Sequence, residues 1–130
     1  MNSNFGFGKA VDGTFDDAVT KVTDELSKEG FGVLTEIDVK ATMKKKIDKE
    51  MPPYKILGAC NPHLADQAIS AVPDIGLLLP CNVLVREDDA GQVSVGFMDP
   101  KAVMGLVENP GVEPLAGEVR EKLERVLDAL

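Results

Sequence analysis

Apolar positions along the chain switch period several times, and each switch marks an expected element. Asn4–Val11 places Phe5 and Phe7 before Ala10 and Val11, with Gly6 and Gly8 between them, and reads as a first strand with glycines on its other face. Asp12-Gly13 is a turn signal, and Thr14 is a good helix cap. Phe15, Ala18, Val19, Val22 and Leu26 follow a helical period, so residues 15–29 form an amphipathic helix that Gly30 stops. Asp16 and Asp17 sit in its first turn, where the helix dipole favours anions.

Phe31–Ile37 is apolar and β-rich, a second strand. Asp38 then caps a short helix to about Asp48, ended by Met51-Pro52-Pro53, because proline disfavours helical geometry in the residue before it. Tyr54–Ala59 is a third strand. Asn61-Pro62 starts another helix with Asn as cap and Pro at the first helical position, running to about Val72. Ile75–Leu79 reads as an apolar strand segment interrupted by Pro80, continued by Asn82–Glu87. Asp88–Gly91 is a hairpin turn and Gln92–Met98 the returning strand. Asp99-Pro100 opens a short helix, broken at Asn109-Pro110-Gly111. Leu115, Val119, Leu123, Val126, Leu127 and Leu130 form the stripe of a long final helix over 113–130. The sum is one α+β domain over residues 1–130, with a mostly antiparallel sheet packed by helices.

At 130 residues such a domain hides about two thirds of its unfolded surface and needs no metal or disulfide to fold. Aromatics are only 5% of the chain, so the core must be built from Val, Leu, Ile and Ala. The formal net charge of −8 argues against nucleic acid, whose phosphates need clustered cations, and against anionic lipid. No apolar run approaches the ~20 residues that span a bilayer, and Met1–Phe7 lacks the pattern of a secretory signal. The expected compartment is the cytoplasm. Lys40, Lys44, Lys45, Lys46 and Lys49 form a local basic stretch, read as a solvated helix face before a patch for an anion.

The candidate chemistry is an echo. Lys55–Asn61 and Leu77–Asn82 are both apolar stretches ending in Cys-Asn, and they are read as two buried strands with Cys-Asn at their ends. Four readings of Cys60, Asn61, Cys81 and Asn82 stay open. The cysteines are small buried hydrophobes, Asn61 is a helix cap, and Asn82 bonds backbone next to a proline bend. Or the four residues converge on a small ligand, with an anion suited to the amides and a free helix N-terminus. Or Cys60, His63 and Cys81 supply soft ligands to zinc or copper, though a fourth ligand and a CxxC pair are missing. Or Cys60, before a helix N-terminus, serves thiol chemistry. A Cys60–Cys81 disulfide would add about 3.4 kcal/mol in the loop-entropy model, but a reducing cytoplasm opposes it. Register decides among these. Two pairs at opposite ends of antiparallel strands would lie about 20 Å apart, whereas Cys60 beside Cys81 permits one site.

Glu36 and Asp38 are better explained by a strand exit and a helix cap than as paired acids. No P-loop, GxSxG or HExxH occurs.

Residues Gly30–Val39, Tyr54 with Leu57–Pro62, Leu77–Val83 and Asp99-Pro100, in that order, resemble the domain of unknown function 302 family. The resemblance implies a TATA-binding-protein-like β-α-β4-α fold and a homodimer. It implies no activity and no cofactor beyond an occasional association with sulfur metabolism. The function expected is a small-ligand or metal-binding module built around the two Cys-Asn pairs. The alternatives are a thiol-dependent enzyme and a structural dimer.

Overall fold

The computed structural model describes residues 2–130. Its five strands are β1 (Gly6–Val11), β2 (Gly32–Asp38), β3 (Tyr54–Cys60), β4 (Cys81–Glu87) and β5 (Val93–Met98). They form one antiparallel sheet in the order β1-β5-β4-β3-β2. The helices are α1 (Phe15–Lys28), α2 (Val39–Ile47), α3 (Pro62–Ala71), α4 (Pro100–Met104) and α5 (Glu113–Asp128). The α+β class and the β-α-β4-α order agree with the sequence reading, with α2, α3 and α4 lying in the connections.

Local signals set most boundaries. Thr14 Oγ1 accepts from the Asp17 amide at 3.1 Å and starts α1. Asp38 caps α2 through the Ala41 amide at 2.9 Å, and Asp48, at φ 53°, ends it. Glu36, the other acid of that pair, holds Lys55 Nζ at 2.7 Å across the sheet.

Alternation along the strands divides the sheet into two faces. One carries Leu57, Ala59, Cys81, Val83, Val85, Val93, Val95 and Phe97, all buried, and α1 and α5 pack on it through Val22, Leu26, Leu123 and Val126. Burying side chains of this size contributes about 1.5–3 kcal/mol each, so this layer is the main source of stability. A second, smaller apolar cluster of Ala68, Ile75, Met104, Val112 and Ala116 ties α3, α4 and the start of α5 together beside it.

The segment before β4 departs from expectation. Pro73–Leu78 is a 3-10 helix, not strand, and Leu77 projects into solvent at 89% exposure. Pro73 opens this helix. Pro80 lacks an N–H and drives Leu79 into an extended conformation, φ −114° and ψ 156°. Strand pairing therefore begins only at Cys81. Cys60 ends a strand, whereas Cys81 begins one.

Candidate functional site

The site grows from the junction of β3 with α3. Cys60 is the last residue of β3, and Asn61 is the cap of α3: its Oδ1 accepts from the Leu64 amide at 3.3 Å. Its Nδ2 donates to the Glu29 carbonyl at 3.4 Å, tying α3 to the end of α1. Gly30, at φ +84°, makes that approach feasible, since a Cβ there would stand 3.0 Å from Asn61 Nδ2. Pro62 fills the first helical position.

The β3–β4 register sets Ala59 opposite Cys81 and Gly58 opposite Asn82. Cys60 therefore lies one step from the position facing Cys81, not at the far end of the sheet. Both cysteines are free thiols. With Asn61 they line one cavity of about 50 Å³, closed by Leu64, Ala65, Met104, Ala116 and Val119 among others. It lies at the seam between the two apolar clusters. A water needs ~10–15 Å³ on this scale, so the cavity has room for only a few atoms.

The two thiols differ. Cys60 is half-buried and Cys81 buried. Burial pushes the Cys81 thiol up to about 11, with a smaller push from neighbouring Cys60. Desolvation disfavours the thiolate, so Cys81 is protonated at neutral pH.

His63 does not join them. It is exposed in the first turn of α3 and does not line the cavity. Among the described residues no three His, Cys, Asp or Glu side chains form a group able to hold a metal ion. The expected Cys60–His63–Cys81 ligand set is therefore reduced to the two cysteines. Its physical reason is helical: His63 points off the turn that Asn61 caps, while Leu64 is the buried position.

Asn82 is separated from the cavity by the pleat. It is exposed on the opposite face and lines a groove of about 350 Å³ with Phe5, Leu84, Arg86, Gly96 and Met98. This groove and Arg86 lie outside what the sequence reading singles out. The one signal for them is the two-residue spacing of Asn82, Leu84 and Arg86, set against the glycines of the first strand.

The profile of the family described as Domain of unknown function DUF302 matches residues 7–130. The chain belongs to the DUF302 family. A crystal structure of an uncharacterized conserved DUF302 protein from Bacillus stearothermophilus resembles this DUF302 chain with a TM-score of 0.90. The two are 25% identical over 98% of each chain. No curated protein matches the sequence. Among the described residues of this DUF302 protein, no helix is long and apolar enough to cross a membrane.

Proposed function

We propose that this DUF302 protein is a binding module for a few-atom, weakly polar ligand held against Cys60 and Cys81. The supporting observation is that both thiols and Asn61 line one small apolar cavity. The amide of Asn61 is already engaged by Leu64 and Glu29, which leaves the thiols as the polar handles. Thiols are weak donors and acceptors, suited to soft, neutral partners.

The Cys81 proton weighs against a bound metal ion. Metal binding needs thiolates. From a thiol at about 11, deprotonation at pH 7 costs about 5 kcal/mol, at 1.36 kcal/mol per pH unit. A soft ion must supply that before it gains anything. In the thiol-enzyme alternative the nucleophile would be Cys60, with Cys81 as its protonated neighbour.

Two measurements test the ligand reading. Xenon pressure followed by amide NMR should shift signals around Cys60, Ala65 and Cys81. Ala65→Leu should abolish those shifts while the protein still unfolds cooperatively, because the new side chain fills the space. Unperturbed amides in the wild type, or shifts that survive the filled cavity, would sink the reading. Native mass spectrometry of protein taken from cells would then identify the natural occupant.

A homodimer is the second reading, and the β2 edge favours it. Leu34 is 68% and Ile37 49% exposed on this outer strand, which has an unpaired backbone edge. Such edges invite pairing with another chain. Sedimentation should show a dimer that Leu34→Lys shifts toward monomer.

A further inference from the structure

The groove on the face opposite the helices has the features of a second binding site, independent of the thiol cavity. Its floor is set by register. Gly96 of β5 lies between Gly8 of β1 and Leu84 of β4, and Gly6 pairs with Met98. Phe5, 70% exposed, stands at the rim beside Ser3. Gly6 and Gly8 are half-buried and put no side chain in the way of a flat group, while Gly96 is buried at the base of the groove. The volume of about 350 Å³ lies within the range of small-molecule sites, unlike that of the thiol cavity.

Arg86 supplies the chemistry. Arg120 holds Asp99 and Glu124, and Arg125 holds Glu29 at 2.8 Å. Arg86 is half-buried and has no ion pair or side-chain hydrogen bond among the described residues, although acidic side chains outnumber basic ones 22 to 14. Its guanidinium offers five donors in a fork that matches a carboxylate. Asn82, four residues away on the same face, makes no side-chain hydrogen bond among the described residues. Four residues of strand span about 14 Å, the length of a small organic molecule.

We propose that this groove binds an organic monoanion with a flat apolar body. Its carboxylate meets Arg86, its body lies over Gly96 and Leu84 against Phe5, and its far end reaches Asn82. The unpaired cation selects a carboxylate. The apolar floor selects against small hydrophilic anions, which would leave Leu84 and Met98 in contact with water. A dimer formed through β2 lies at the other edge of the sheet and leaves the groove open.

The probe is 1-naphthoate, titrated into the wild type and followed by amide NMR and calorimetry. Shifts are expected at Leu84, Arg86 and Gly96, with no change around Cys60. The neutral 1-naphthalenemethanol, and acetate, should each bind at least tenfold more weakly. Arg86→Gln should weaken naphthoate at least tenfold and leave the neutral alcohol unchanged, since one charge-assisted pair is worth a factor of that size or more. Leu84→Glu, which places a like charge on the floor, should abolish naphthoate binding. An unchanged unfolding temperature for Arg86→Gln separates lost binding from lost fold. No binding by the wild type, equal binding by Arg86→Gln, or a groove whose amides are already shielded by a second copy of the chain would overturn the proposal.

Discussion

The two Cys-Asn pairs are spelled alike and placed unlike. At the first, strand β3 ends, Cys60 enters the cavity wall, and Asn61 turns the chain into α3. At the second, strand β4 begins, so the pleat continues through both residues. Cys81 faces the helices and Asn82 faces away from them. Their shared letters thus give two free thiols on one cavity and two asparagines placed differently: one holds structure, the other makes no side-chain hydrogen bond among the described residues. What a dipeptide does depends on whether a strand ends or starts there, because only a continuing strand forces neighbours onto opposite faces.

The sharpest difference between the pairs is the burial of Cys81. Its folded-state thiol is raised to about 11 from an ordinary 9.0. Below pH 9 it is protonated in both folded and unfolded chains and adds no pH dependence. Between pH 9 and 11 the unfolded chain releases this proton and the folded chain keeps it. Stability must therefore fall as pH rises through that window, by up to about 2.7 kcal/mol, at 1.36 kcal/mol for each step of one in pH. Denaturant unfolding of wild type and Cys81→Ala at pH 8, 9, 10 and 11 checks it. The wild type should lose more than the variant over that range. Lysines paired with acids, such as Lys55 with Glu36, also weaken at alkaline pH, but in both proteins alike. Parallel curves would show that Cys81 is not held in a dry site.

The asparagines should differ next. Asn61→Ala removes the cap of α3 and the donor to Glu29. A lost cap costs about 1 kcal/mol, within 0.5–2. Urea denaturation should show that loss with an unchanged slope. Hydrogen exchange should quicken at the first turn of α3, near Leu64. A variant as stable as the wild type would mean that Pro62 alone starts the helix, and the first pair would then be no more structural than the second.

Much of this is legible in the letters. Thr14, Asp38 and Asn61 are caps by residue type and position, and the stripes of α1 and α5 name the faces that meet the sheet. The segment 73–78 defeats the same reading because Ile, Leu and Leu in a short run suit a strand or a turn of helix equally, and period cannot choose over so few residues. The register of β3 on β4 is not legible either. It depends on where pairing resumes after Pro80, a matter of tertiary packing. So the meeting of Cys60 with Cys81 has to be seen, as does the departure of His63 from the cavity. Arg86 escapes notice because a lone arginine between Val85 and Glu87 looks like ordinary surface until its neighbours are known to leave it unpaired.

The smallest effect on stability is expected at Asn82, and it is the one that separates fold from function. Asn82→Ala removes no hydrogen bond seen among the described residues and no buried packing. Substitutions at such sites usually stay within about ±0.5 kcal/mol. Urea midpoints should therefore be nearly superimposable with the wild type, while Asn61→Ala is clearly shifted. Gly58, opposite Asn82, is a useful contrast: a Cβ there would overlap Thr35 Oγ1 and stand 2.9 Å from Pro80 Cγ, so the backbone partner of Asn82 is tightly constrained while the Asn82 side chain is exposed. An exposed side chain that lines the same groove as Arg86, and that stability does not need, is what the proposed ligand site requires of Asn82. If Asn82→Ala instead destabilises the protein as much as Asn61→Ala does, both asparagines are structural. The second Cys-Asn pair would then be a repeat of the first in energy as well as in spelling.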